Sequence, residues 1–212
     1  EMASRLVVQL RSLIVSANQV MIPVIAESKE NNPSNIKIIY KKSFSIVLYL
    51  NILLITFIIV LAPIISLIWI GHYESIFVYV VILSSMSMFF NISSTPAYFS
   101  YMGEGKLNWI VMSILIGFLI NILLGYLLGL NFGGYGVIIS FNISLVLQAI
   151  LLLRAFHKSK KIKILALISY YDLKLIVSSI IFMIFSNYMF HAIFNYNSTS
   201  MQILLYLLCL LL

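Results

Sequence analysis

The chain has 212 residues, of which 62% are hydrophobic and 9% are charged. Its mean hydropathy of +1.09 is higher than a soluble domain needs, so the composition excludes a soluble protein and indicates an integral membrane protein. The net charge of +7 comes from 13 Lys and Arg against 6 Asp and Glu. These cations are divided among short loops, which excludes the basic surface that a nucleic-acid-binding domain would need.

The first segment, residues 1–26, is the one membrane-length stretch whose polar residues gather mostly on one side. At about 100° per residue on a helix, these residues share or adjoin a single face. Charged side chains at membrane depth are costly and usually face a cavity or a partner. We therefore predict that six side chains face a cavity that binds a ligand. They are Arg5, Gln9, Arg11, Ser12, Asn18 and Gln19.

Arg11 is the strongest of these candidates because the helix rise places it near the middle of the membrane. Guanidinium donors match phosphate oxygens in pairs, so a cationic cavity here favours a phosphate or pyrophosphate group. Three alternatives stay open for the arginines. They could anchor the helix at the membrane interface, form a buried pair with Glu1, or lie at another depth if the helix begins upstream.

Further apolar segments of membrane length follow in chain order at residues 43–70, 76–102, 107–130 and 137–156. Residues 158–174 are predicted to be a basic loop with an interfacial segment. Residues 175–212 are predicted to hold a sixth span and the start of a further helix. These spans are too long and too uniformly apolar for barrel strands. The predicted fold class is all-α, a polytopic membrane helix bundle in which residues 1–157 form one transmembrane lobe.

The loops between the spans alternate in charge. Loops 28–42, 103–106 and 157–174 contain lysines, whereas loops 71–75, 131–136 and 191–200 contain neither Lys nor Arg. Cytoplasmic loops are enriched in Lys and Arg, so the pattern predicts that the first helix runs from outside to inside.

Other polar and small residues in the spans are typical of helix packing. Asn51, Asn91, Asn121 and Asn142 predict hydrogen bonds between helices. The glycines at positions 125, 129 and 133 predict close packing that is followed by a tight turn. The prolines at positions 23, 63 and 96 predict bends, either static or acting as hinges.

Residues suited to covalent chemistry are missing from the predicted spans. No His, Cys, Asp or Glu cluster has metal-ligand spacing, and apart from Glu1 no carboxylate falls within a span. Acid and base catalysis in a membrane enzyme would need such groups. We therefore predict no catalytic residue, no metal and no cofactor. The GEGK turn at 103–106 lacks the glycine spacing of a phosphate loop.

The two ends of the sequence predict a portion of something larger. The chain begins with Glu1 rather than Met, and the apolar run at residues 201–212 is shorter than the about 20 residues that a crossing needs. We expect an internal or C-terminal portion of a longer, transporter-sized protein.

Several segments together resemble a transporter family. They are ANQVMIPVIAE at residues 17–27, KKSF at 41–44, a polar helix that ends in GEGK at 103–106, and NILLGYLLGLNFGGYGVIIS at 121–140. In order and spacing they resemble the polysaccharide-export branch of the multidrug/oligosaccharidyl-lipid/polysaccharide flippase superfamily, over about residues 1–157.

The resemblance implies the second lobe of a two-lobe protein in which six-helix lobes open and close a central cavity. It also implies a function, the flipping of an undecaprenyl-pyrophosphate-linked oligosaccharide, such as an O-antigen unit of lipopolysaccharide. The step would cross the bacterial plasma membrane by alternating access, with no enzymatic reaction. Membrane lipids and polysaccharide assembly proteins are the further partners that the resemblance implies. Arg5 and Arg11 would then face the lumen.

Other functions stay open at this stage. A drug or cation antiporter of the same superfamily would need acidic residues within the membrane, and the predicted spans lack them. A multi-spanning polysaccharide polymerase or acyltransferase would need catalytic carboxylates or His and usually a large outer loop, whereas the longest predicted outer loop is 191–200. A helical scaffold subunit would explain the packing residues but leave Arg11 without a purpose.

Overall fold

The computed structural model describes residues 2–163 and 167–194, and all regular secondary structure in these ranges is helical. The helices are α1 (Met2–Asn18), α2 (Met21–Asn31), α3 (Asn35–Ile70), α4 (Ser75–Ser93), α5 (Thr95–Gly103), α6 (Asn108–Lys160) and α7 (Tyr170–Phe194). Five stretches are long and apolar enough to cross a membrane, namely α1–α2, α3, α4–α5, α6 and α7. The predicted all-α bundle is confirmed for these residues. The further helix predicted at 201–212 lies outside them.

The first stretch consists of two helices that are separated at Gln19 and Val20. Pro23 has no N–H to donate to the carbonyl of Gln19, so the regular helical bond is missing. The N–H of Ile22 donates to that carbonyl instead, at 3.1 Å, in a tighter turn. Helix α1 therefore ends at Asn18, and α2 begins at Met21.

The stretch formed by α4 and α5 is interrupted for the same reason. Pro96 lacks the N–H that would bond to the carbonyl of Ile92. The hydroxyl of Thr95 donates to this carbonyl at 2.8 Å and so replaces the missing backbone donor. Since α1 packs on α4 and α2 packs on α5, the two interruptions lie next to each other in the bundle.

Helix α6 is a hairpin of two antiparallel arms. The backbone leaves the helical conformation at Gly133, where φ is 57° and ψ is −138°, a left-handed region that favours glycine. Residues 108–132 form the first arm, α6a, and residues 134–160 form the second arm, α6b. The hydroxyl of Ser140 on α6b donates to Oδ1 of Asn121 on α6a at 3.2 Å. Each arm is longer than the length of about 20 residues that a helix needs to cross a membrane.

The arms of α6 approach closely where glycines lie, as the glycine spacing predicted. A Cβ atom at Gly125 would lie 3.3 Å from the hydroxyl of Ser140, and one at Gly129 would lie 3.4 Å from Val137. The tightest position is Gly136, where an added Cβ would overlap the backbone carbonyl of Leu128. The two arms of the hairpin therefore pack against backbone atoms, which cannot move aside as a flexible side chain could.

Within the described residues, three apolar clusters hold the helices together, and the smallest joins Ile64 of α3 to Phe190 of α7. Val47, Ile58, Val81 and Met88 belong to a buried cluster between α3 and α4. Another cluster joins α3, α5 and α6b, and Phe156 lies at its centre, with ring centroids 4.6 Å from Tyr40 and 5.1 Å from Tyr101. Large apolar side chains also cover the outer surface, among them Leu53, Phe57, Phe118 and Leu119. Such a surface suits helices that face lipid.

Helix α3 begins earlier than the span predicted from the sequence, which started at residue 43. It begins at Asn35, and both Ile36 and Tyr40 in its first turns are buried, with Tyr40 packed on Phe156 near the end of α6b. The hydroxyl of Tyr40 lies 2.6 Å from Nε2 of His157, so the two buried polar groups satisfy each other. Much of the predicted 28–42 loop is therefore helical, since α2 extends to Asn31.

Helix α7 also begins before its predicted start at residue 175. Ser169 and Asp172 form a reciprocal cap: the N–H of Ser169 donates to the Asp172 carboxylate at 2.7 Å, and the N–H of Asp172 donates to the Ser169 hydroxyl at 3.3 Å. Such a cap satisfies backbone donors that the first turn leaves without partners. The helix consequently starts at Tyr170, and the carboxylate of Asp172 has a local structural role.

Glu104 joins three elements at the lysine-rich end of the bundle. This residue lies in the turn between α5 and α6 and is only 3% exposed. Its carboxylate pairs with Lys106 at 2.8 Å and with Lys160 of α6b at 2.5 Å, while Lys29 of α2 donates to its backbone carbonyl at 2.9 Å. Burial tends to raise the pKa of the Glu104 carboxyl, but the two lysines outweigh burial and hold the pKa below its usual value.

The packing of the α6 hairpin gives a direct test. Replacing Gly136→Ala should destabilise the protein by about 1–3 kcal/mol or more, because the new Cβ overlaps a backbone carbonyl rather than a flexible side chain. Replacing Gly134→Ala is the matched control, since nothing lies within 4 Å of a Cβ at that position. Thermal unfolding in detergent, followed by size-exclusion chromatography, measures both. Equal stability of the two variants would contradict the close packing.

Candidate functional site

A cavity of about 410 Å³ lies between α1–α2, α4–α5 and the two arms of α6. Its lining includes the polar side chains of Arg11, Gln19, Asn91, Ser94, Tyr98 and Gln148. Apolar side chains such as Ile22, Met102 and Leu152 complete the wall. The cavity thus combines one cation with neutral hydrogen-bonding groups inside a largely apolar bundle.

Arg11 is held in the cavity by a hydrogen bond from α1 to α4. Its Nε donates to Oδ1 of Asn91 at 2.8 Å, and Asn91 is only 8% exposed. Among the residues that the structure describes, no carboxylate lies within ion-pair distance of Arg11. An amide orients the guanidinium but does not neutralise it, so the cavity keeps a positive charge.

Both helix interruptions contribute to the cavity wall. Gln19 lies at the break between α1 and α2, and Ser94 and Thr95 lie at the break between α4 and α5. The hydroxyl of Ser94 donates to the carbonyl of Asn91 at 2.7 Å. Irregular backbone at membrane depth is tolerated where it is buried in protein or lines a cavity, and both breaks meet this condition.

The structure separates the six predicted site residues into three groups. Arg11 and Gln19 line the cavity. Arg5, Gln9 and Ser12 are exposed on the side of α1 away from the bundle core, whereas Val7 and Ile14 are buried. We call Arg5, Gln9 and Ser12 the polar face of α1. Polar groups in contact with hydrocarbon are costly, so this face requires water or another part of the protein.

Asn18 lies away from both the cavity and the polar face of α1. It is 7% exposed, and its Nδ2 donates to the carbonyl of Ile14 at 2.9 Å. Its Oδ1 accepts from the hydroxyl of Ser43 on α3 at 3.1 Å. In this structure Asn18 therefore helps α1 to pack on α3.

The other intramembrane asparagines make the predicted contacts between helices. Asn51 on α3 donates to the carbonyl of Phe89 at 2.8 Å and to the hydroxyl of Ser93 at 3.1 Å. Asn142 on α6b accepts from the hydroxyl of Ser87 on α4. These bonds fix the register of α3 and α6b against α4, which carries Asn91 into the cavity.

Two cavity residues were not singled out by the sequence. Gln148 is an isolated amide within the apolar run 143–153, and Tyr98 follows the break at Thr95 by one helical turn. A single polar residue in an apolar span is a weak signal, because most such residues serve packing. Within the described part of the chain, no group of three or more His, Cys, Asp or Glu side chains could hold a metal.

The helix bundle of this chain resembles the fold of a solved membrane transporter. A solved structure of the lipid II flippase MurJ, in an inward closed conformation, matches this chain with a TM-score of 0.70 and 19% sequence identity. The match covers 99% of this chain and 44% of that flippase, so the chain spans less than half of its length. No protein-family model matches the chain, and no curated protein matches it. The likeness therefore establishes the fold.

The bond between Arg11 and Asn91 should appear as an energetic coupling. In a double-mutant cycle of Arg11→Ala and Asn91→Ala, we expect a coupling of about 1.5–3 kcal/mol, the range for a hydrogen bond to a charged group. Thermal unfolding of the four proteins in detergent measures it. A cycle of Gln9→Ala and Asn91→Ala serves as the control and should be additive, because Gln9 is exposed on the polar face. Additivity of both cycles would rule out the coupling.

Proposed function

We propose that this chain forms one lobe of a membrane transporter that flips a lipid-linked, anionic substrate by alternating access. The observation that supports it most is the charge of Arg11, which lies in a polar cavity and is bonded only to an amide among the contacts described for it. A charge at membrane depth is costly unless it serves a partner or a ligand. A flippase fold supplies the context in which an anionic headgroup would be that ligand.

The substrate that we propose is an undecaprenyl-pyrophosphate-linked oligosaccharide for surface polysaccharide synthesis. A guanidinium carries five N–H donors, and the bond from Nε to Asn91 uses one of them. The remaining donors suit the paired oxygens of a phosphate or pyrophosphate. Neutral amides and hydroxyls such as Gln19, Gln148 and Ser94 suit the hydroxyl groups of a sugar.

The polar face of α1 supports a second lobe opposite this one. Arg5, Gln9 and Ser12 are exposed on this lobe, whereas most exposed side chains along the other helices are apolar. A lumen between two lobes would hydrate this face and let the lipid tail remain in the bilayer outside. The chain would then be the second lobe, and transport would proceed without covalent chemistry.

A drug or cation antiporter is the alternative from the same superfamily. Such a protein would use carboxylates in its cavity to hold a cation. The described cavity wall contains Arg11 and no Asp or Glu, which favours an anion over a cation as the ligand.

We propose a bacterial plasma membrane location with the lysine-rich ends of α2, α5 and α6b in the cytoplasm. Labelling of single cysteines tests this orientation after Cys209→Ser removes the native thiol. On intact cells, a membrane-impermeant maleimide should label the His72→Cys variant and leave the Lys37→Cys variant unlabelled until the cells are opened. The positive-inside rule gives the expected side. The reverse pattern would overturn the orientation.

Export of surface polysaccharide by the full-length protein tests the function. In a flippase-deficient host, Arg11→Ala should lower export by about 10–100-fold, because a charge-assisted hydrogen bond is lost. Arg11→Lys should retain part of the activity, since it keeps the charge but loses the paired donors. Arg154→Ala is the matched control, an exposed arginine near the end of α6b. Wild-type export by Arg11→Ala at equal protein levels would remove the cationic cavity from the mechanism.

A further inference from the structure

The cavity ends where three helices are tied together by Glu104. Ile22 of α2, Met102 of α5 and Leu152 of α6b line the cavity wall. Beyond them, Glu104 bonds to α2 through its backbone carbonyl and to α6b through its carboxylate. The three parts of the wall are therefore joined by one residue just outside the cavity.

Two of the segments that Glu104 joins, α2 and α5, are the second halves of the two interrupted stretches. Helix α2 follows the break at Gln19 and Val20, and α5 follows the break at Ser94. A helix break lacks the continuous ladder of hydrogen bonds, so bending is concentrated there. The breaks line the cavity, whereas the contacts of Glu104 lie at the other end of each helix, away from the break. Each of the two helices thus has a break at one end and the contacts of Glu104 at the other.

The contacts of Glu104 differ in kind from the packing between α2 and α5. Gly103 of α5 lies so close to α2 that an added Cβ would come within 2.7 Å of Ile25, so α2 and α5 fit together as a pair. The ion pairs of Glu104, by contrast, depend on two long lysine side chains, of which Lys106 is 60% exposed and Lys160 of α6b is 17% exposed. Separating the mostly buried pair of Glu104 and Lys160 is costly unless both groups gain water as the helices part, so this pair favours the closed arrangement. The packing of α2 on α5 is kept when the two helices move together.

We propose that α2 and α5 form a hinged gate at this end of the cavity and that Glu104 is its latch. With the latch closed, the carboxylate of Glu104 holds Lys160 of α6b against the turn, while Lys29 keeps α2 on the same turn through the backbone carbonyl. With the latch open, α2 and α5 swing together about the two proline breaks and admit water and ligand to the cavity. This gate serves the transport proposed above, but it can be tested without measuring transport.

Cysteine reactivity in the full-length protein, embedded in lipid nanodiscs, tests the latch. In a Cys209→Ser background, Leu152→Cys reports access to the cavity and Ala62→Cys, in the buried α3–α4 cluster, reports general loosening. Glu104→Gln should raise the labelling rate of the Leu152→Cys reporter by a small water-soluble maleimide about tenfold and leave that of Ala62→Cys unchanged. The exchanged pair Glu104→Lys with Lys160→Glu should restore slow labelling.

Glu74→Gln is the matched control, because Glu74 pairs with His72 at the opposite end of the bundle, at 3.6 Å. It should leave labelling of the Leu152→Cys reporter unchanged. An unchanged rate in Glu104→Gln would overturn the latch. A parallel rise at both reporters would also overturn it, because Glu104 would then stabilise the whole fold. Loss of export in Arg11→Ala bears on the cavity alone, so the two proposals can fail separately.

Discussion

The bond between Arg11 and Asn91 connects the parts of the molecule on which a transport function would depend. It joins α1 to α4 beside the place where both helices are interrupted by proline, and it holds an arginine that no described carboxylate neutralises. Other polar contacts surround it. Asn51 and Asn142 bond to α4 and fix the helix that carries Asn91, and the hydroxyls of Ser94 and Thr95 satisfy the broken backbone.

The parts of the fold that local chemistry dictates could be predicted from the sequence. The hairpin of α6 follows from glycines at a fixed spacing, since only glycine permits both the left-handed backbone of Gly133 and the contact at Gly136. The polar face of α1 follows from the helical period, because a repeat near 3.6 residues places its members on one side whatever the neighbours are. The early start of α3 was missed, since it depends on burial of Tyr40 against a distant helix.

The parts of the site that depend on tertiary packing could not be predicted. Arg11 and Asn18 are seven residues apart and therefore lie nearly in line on a regular helix, yet one opens into the cavity and the other packs on α3. Which neighbour each one meets is decided by α3 and α4, far away in sequence. Glu104 is a similar case. Its turn looks like a hydrophilic connection, and only the approach of α2 and α6b buries its carboxylate.

The polar face of α1 also bears on how the chain enters a membrane during synthesis. The stretch containing most of α1 and all of α2 has a hydropathy of 1.3, whereas α3 reaches 2.9. An arginine near the centre of a helix opposes insertion by about 2.5–3.5 kcal/mol, and each leucine or isoleucine returns only a fraction of that. Helix α3, which contacts α1 directly, is apolar enough to insert without help. The same residues that would serve a substrate thus make the first helix depend on its neighbour for its place in the bilayer.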